Sequence, residues 1–130
     1  MNDIENKDDV KIFVDAFYEK VRKDILIGPV FAAKIPDGNW EPHLERMYSF
    51  WYTVLFAARD YHGNPFSKHA SLPIQKPHFE RWVDLFKETI DTHFEGDRAD
   101  DTKMRADKMG LLFQSKLEYI QANENFKNIL

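Results

Sequence analysis

One histidine stands between two prolines, in Pro65-Phe66-Ser67-Lys68-His69-Ala70-Ser71-Leu72-Pro73. Each proline restricts its own backbone and that of its predecessor, so His69 sits on a short, pinned segment. A neutral imidazole can bond iron through one ring nitrogen and donate its other N–H to an acceptor, and histidine is a common haem ligand. A second histidine, His43, opens a helical segment at Trp40-Glu41-Pro42-His43, and Trp82 opens another at Phe79-Glu80-Arg81-Trp82. A pinned histidine facing a histidine and a tryptophan on rigid helices meets the needs of a haem pocket. One side supplies the iron ligand, and the other supplies polar groups for whatever binds the open face. Phe66 and Leu72 flank His69 and would pack on the flat face of such a group.

Each of these residues also has a plainer reading. Taken alone, His69 also reads as a surface histidine beside Lys68, and His43 as a partly buried residue at a helix start. Trp82 reads as a donor to a polar ligand or as a core filler, since its indole N–H can only donate. Tyr18 lies beside Phe17 on an apolar stripe, and a buried phenol usually finds a partner, either a ligand atom or a backbone carbonyl. Trp40 and Trp51 read as core.

The elements that must position these groups are helical. Val10, Phe13, Val14, Phe17, Tyr18 and Val21 recur in steps of three and four. Asp8 and Asp9 stand at the start of this run, where negative charge suits the helix dipole. The pattern fades near Asp24, Gly28-Pro29 marks a break, and Val30 and Phe31 read as an apolar pair on a short connection. Pro36-Asp37-Gly38 is a second turn signal. A second helix is predicted from about Asn39 to Ala58, with Trp40, Leu44, Met47, Phe50, Trp51, Val54 and Leu55 as its apolar positions. Pro42 falls in its first turn, where the missing N–H costs little. Gly63, Pro65, Pro73 and Pro77 exclude a long helix over 59–77 and leave room for one short turn near Phe66. A third helix carries Phe79, Trp82, Val83, Phe86 and Ile90 and is expected to end near Gly96, read as a C-cap. A fourth runs from about Arg98 to Gln121, with Gly110 as a mild blemish of about 1 kcal/mol against Ala. Strand-like alternation and internal repeats are absent. The expected class is all-α, one domain over 1–130.

Composition narrows the functional classes. The chain of 130 residues has 15% aromatics, including 11 Phe, a skew that suits enclosure of something flat and apolar or simply an aromatic core. No cysteine is present, which removes disulfides, thiolate metal sites and c-type haem attachment. A net charge of −4 makes nucleic acid and anionic membrane poor partners. No segment has the run of roughly 18 apolar residues of a membrane span. The polar, acidic N-terminus carries no signal pattern, so the expected location is cytoplasmic. No Glu-x-x-His pairs for a di-iron bundle, no His-Glu-x-x-His, no phosphate-binding glycine loop and no Ser-centred elbow occur.

Taken in order, several segments resemble the truncated haemoglobins, and specifically their third group. They are Phe17-Tyr18-Glu19-Lys20-Val21-Arg22-Lys23-Asp24 and Ile27-Gly28-Pro29-Val30-Phe31, then Trp40, His43 and Phe50-Trp51. Tyr61-His62-Gly63-Asn64-Pro65 leads to Lys68-His69, Leu72 and Pro73, and Phe79-x-x-Trp82-x-x-Leu85-Phe86 follows. The resemblance runs from about Val10 to Gln121. It implies a truncated globin-like two-over-two helical sandwich around non-covalent haem b. It implies His69 as the proximal iron ligand and Tyr18, His43 and Trp82 as the distal polar residues. Phe31 falls on the phenylalanine that packs on the haem. Met47 lies one turn after His43 and is expected to face the distal cavity, and Phe50, one further turn along, to line the haem edge; Phe17 and Phe86 are expected in the haem pocket too. Arg46 and Lys68 are candidates for the haem propionates, since cations suit carboxylates, and both read equally as solvated charges. Met47 is larger than the aliphatic residue typical there. The absence of glycine-rich turns before the second helix agrees with the third group.

These residues imply a globin that takes up dioxygen or another diatomic ligand, nitric oxide or carbon monoxide, at haem iron. The alternative is a detoxifying enzyme, a peroxidase acting on peroxide or a nitric oxide dioxygenase, with His43 as acid or base and an electron-donating reductase as partner. A helical module without haem is the reading from another class, and it predicts no Soret band.

Overall fold

A computed structural model describes residues 1–58 and 74–129, with side chains to 123. The expected loop turn near Phe66, together with His69, Lys68 and Leu72, lies outside the described residues.

Helix α1, Lys7–Lys23, is started by Asn6, whose side chain accepts from Asp9 N at 2.9 Å. Asp8 and Asp9 occupy its first turn and Lys20, Arg22 and Lys23 its last, matching the helix dipole at both ends. Its buried stripe is Val10, Phe13, Val14, Phe17, Tyr18 and Val21, the periodic set read from the sequence. Helix α2, Gly28–Lys34, replaces the irregular connection expected around Val30 and Phe31. Pro29 is the reason: its fixed φ and missing N–H suit the first turn of a helix as well as they suit a break.

A 3₁₀ turn at Asp37–Asn39 leads into α3, Trp40–Phe56. Ala57 closes α3 with φ 53°, a left-handed conformation that glycine usually takes at helix ends. Helix α4, Lys76–His93, begins with Pro77 in its first turn and with Gln75 N donating to His78 Nδ1 at 3.0 Å. Helix α5 spans Asp97–Ile129, longer at its C-terminal end than the expected limit at Gln121.

Gly96 does not cap α4. That helix ends at His93, and Gly96 instead begins α5, its carbonyl accepting from Asp100 N at 2.9 Å. Glycine is required here on two counts. Its φ is +142°, and a Cβ would lie 2.6 Å from Asp3 Cγ. Asp3 comes this close because it caps α5 from the other end of the chain. Its Oδ2 accepts from Arg98 N at 2.9 Å and its Oδ1 from Ala99 N at 2.8 Å. Gly110, too, is more than a blemish, since a Cβ there would meet Val83 Cγ2 at 2.7 Å where α4 and α5 cross.

Helix α1 packs on α2, α3 and α4, and α4 packs on α5. The α1–α3 and α4–α5 pairs form the two layers of a two-over-two sandwich, all-α as expected, with no strand among the described residues. The main core joins Ile4, Phe13, Phe17, Trp51, Phe86, Ile90 and Phe94, contributed by both layers and by the N-terminal segment. Fully burying side chains of this size is worth roughly 1.5–3 kcal/mol each. Among the described residues no helix is long and apolar enough to cross a membrane.

Candidate functional site

The adjacent residues Phe17 and Tyr18 point in different directions because neighbours on a helix are about 100° apart. Phe17 faces α4, edge-on to Phe86 at 5.2 Å and to Trp82 at 5.6 Å. Tyr18 faces α2 and α3. Its ring meets His43 at 5.0 Å, Trp40 at 5.9 Å and Phe31 at 6.0 Å, all edge to face. Three elements therefore converge on one phenol, and the expected pair Tyr18 and His43 is brought into contact. Trp82 reaches this group through Phe17, which touches both Trp82 and Tyr18.

The Tyr18 phenol is the polar group at the centre. The residue is 7% exposed. Burial alone pushes its pKa far above the ordinary value near 10, so it stays a donor at any physiological pH. Among the described residues none accepts a hydrogen bond from it. With no acceptor among the described residues, this hydroxyl is available to a ligand that brings one. His43 is half-buried, with its Nε2 atom fully enclosed.

The other expected pocket residues fall into two sets. Phe31, Met47, Phe50 and Trp82 are half-buried at the edge of the core, with apolar surface still open. Phe17 and Phe86 are inside it, and Phe86 is sandwiched between Trp82 at 5.6 Å and Trp51 at 4.7 Å with near-parallel rings. Arg46 is exposed.

Sequence reasoning misses three parts of the surroundings. Trp40, read as plain core, touches both Tyr18 and His43, and the Arg22 guanidinium covers it at 4.6 Å. Its spacing of three from His43 on one helix face is the available signal. Asp24 and Arg81 form a clamp beside Trp82. The Asp24 side chain is 5% exposed, and its Oδ1 accepts from Arg81 Nε at 2.8 Å and Nη2 at 2.7 Å. Its Oδ2 accepts from the backbone N–H groups of Leu26 and Ile27. Burial opposes ionisation of Asp24, but the Ile27 N–H and the Arg81 guanidinium outweigh it and hold its carboxyl below the usual range. The clamp ties the end of α1 and the approach to α2 to the start of α4. No local pattern announces Arg81. The third part is a hydrogen bond from the Tyr48 hydroxyl on α3 to Asp15 Oδ1 on α1.

The described residues thus form a helical sandwich in which a buried tyrosine meets a histidine and two further aromatic rings. Known proteins specify the class further. The bacterial-like globin family model matches residues 2–112, and the chain belongs to that family. The group 3 truncated hemoglobin of Campylobacter jejuni is 33% identical over 115 residues, 86% of this chain and 91% of that protein. The crystal structure of the group III truncated hemoglobin from Campylobacter jejuni matches with a TM-score of 0.83 at 32% identity, covering 90% of this chain and 95% of that one. Family membership implies a haem-binding globin in general.

Proposed function

We propose that this globin holds haem b non-covalently through His69 and binds dioxygen or another diatomic ligand on the face lined by Tyr18, His43 and Trp82. The observation that carries the reading is the Tyr18 phenol, buried, protonated and without an acceptor among the described residues. The relatives named as truncated hemoglobins support the same reading. Haem, when bound, supplies an iron at which dioxygen, nitric oxide or carbon monoxide coordinates reversibly.

The residues do the rest. Tyr18 donates its O–H to the end of the ligand that carries partial negative charge. Its ring is held by Phe17, Phe31, Trp40 and His43, so little reorganisation is needed when the ligand arrives. The Trp82 N–H is a second donor, held beside Phe17 and against Phe86. The half-buried Phe31, Met47 and Phe50 provide apolar wall and exclude water. Arg46 and Lys68 suit the propionates as partners of opposite charge.

The test is an ultraviolet–visible spectrum of the chain expressed with haem supplied, beside His69→Ala. A Soret band that is lost or shifted in the variant is the expected result, and no band in the parent chain overturns the reading. In the ligated protein, Tyr18→Phe removes a donor worth roughly 1–3 kcal/mol and should speed dioxygen release by about one to two decades. Carbon monoxide, which is less polar, should respond less.

A further inference from the structure

Trp82, Phe86 and Trp51 form a column of rings through the core. Trp82 stacks on Phe86 at 5.6 Å and 16°, and Phe86 stacks on Trp51 at 4.7 Å and 23°. Its inner end, Trp82, adjoins Phe17 at the wall of the site. Tyr48 stands three residues before Trp51 on α3, where side chains are neighbours with Cβ atoms about 5–6 Å apart. The Tyr48 ring is 8% exposed, but its hydroxyl reaches the exposed Asp15 carboxylate and the Lys11 ammonium lies 5.8 Å from the ring centre. An oxidisable phenol, a proton acceptor on its hydroxyl and a surface position therefore coincide at one end of the column.

We propose that the Trp82–Phe86–Trp51 column and the Tyr48–Asp15 pair form a one-electron route from the wall of the site to the protein surface, with Tyr48 oxidised at its outer end. The physiological oxidant is a hydroperoxide reduced at the haem site, and that role rests on the haem reading above. Reduction of ROOH to ROH and water takes two electrons and two protons. The column delivers the electrons in two passes, and water supplies the protons.

Each pass balances at the outer end. An indole radical cation at Trp51 takes one electron from Tyr48. The phenol O–H bond breaks, its proton moves to Asp15 Oδ1, and a neutral phenoxyl radical and a neutral Asp15 carboxyl remain. A one-electron donor in solution then reduces the phenoxyl, and the proton returns from Asp15. Phe86 is too hard to oxidise to carry charge itself, and it closes the gap between the two indoles. The Lys11 cation disfavours a charged phenol radical, which couples loss of the electron to loss of the proton. Tyr18 is the counterexample. It touches Trp40, yet no described residue accepts its proton, so it keeps its hydrogen for donation.

The test generates azide radicals by pulse radiolysis in a solution of the full chain, since these oxidise tryptophan rapidly. The indole radical absorbance should decay as phenoxyl absorbance grows, in a first-order step whose rate does not change with protein concentration. Tyr48→Phe should remove most of the phenoxyl yield, and Tyr119→Phe, at an exposed position on α5, should leave it intact. Asp15→Asn should slow the step by about tenfold, as loss of a hydrogen bond to a charged acceptor of roughly 1.5 kcal/mol implies, and Asp15→Glu should restore it. Asp15 is exposed, so these variants fold. Full phenoxyl yield in Tyr48→Phe, or an unchanged rate in Asp15→Asn, overturns the proposal. The oxidant comes from solution, so loss of the Soret band leaves this route standing, and loss of the phenoxyl signal leaves the haem reading standing.

Discussion

Two polar regions of this molecule sit against the same aromatic core and are treated in opposite ways. At the N-terminal end, the Asp3 carboxylate receives backbone N–H groups from Ile4, Arg98 and Ala99, and the Arg98 guanidinium donates to Ile4 O at 2.8 Å while lying over the Phe56 ring at 4.3 Å. At the site, Tyr18 is a more deeply buried residue, and no described residue accepts from its hydroxyl. The contrast teaches how to read buried polarity. A group whose partners all come from the chain is structural, and one that no described residue accepts from is what the proposed binding role requires.

The contrast can be broken from the structural side first. Gly96→Ala forces a side chain into a left-handed backbone and onto Asp3, and it should lower stability by about 2–4 kcal/mol in urea denaturation. Asp3→Ala removes only the cap and should lower stability by about 1–2 kcal/mol, with ligand release unchanged in stopped-flow measurements. Tyr18→Phe should do the reverse. It removes a hydroxyl that no described residue accepts from, so the chain without ligand should keep or gain up to about 1 kcal/mol while release accelerates. Equal destabilisation by Asp3→Ala and Tyr18→Phe would erase the distinction between the regions.

Acid sharpens it. Burial opposes ionisation of Asp3, but the three N–H groups and the Arg98 charge hold its carboxyl below the usual range, as the clamp does for Asp24. Both groups bind fewer protons folded than unfolded, so their stabilisation is complete above the unfolded value near 4 and is lost as pH falls through the folded value. Urea midpoints measured from pH 6 to pH 3 should fall, and Asp3→Asn should flatten that fall. Tyr18 has its pKa raised at the other end of the scale and should add nothing to this window.

The direction of several side chains at the candidate site is legible in the order of residues alone. The three-and-four spacing of α1 places Phe17 and Tyr18 on a buried face, and the spacing of His43 to Met47, Phe50 and Trp51 places it on the same face of α3 as they are. Those assignments are local, and helical geometry converts them directly into direction. Legibility fails where a proline or a glycine has two uses. Pro29 begins a helix, and Gly96 opens α5 after α4 has already ended. Only the approach of Asp3, distant in sequence, distinguishes the two uses of Gly96.

The sequence by itself determined the helical class, the buried stripes and which polar residues share a face, because periodicity is a property of neighbours along the chain. Tertiary structure alone decided that Asp3 caps α5, that Asp24 clamps Arg81, that Asp15 receives the Tyr48 proton donor and that Trp82, Phe86 and Trp51 stack. Each of these joins groups from different elements. Their partnership depends on how helices cross, and helix crossing leaves no mark at fixed spacing in the chain.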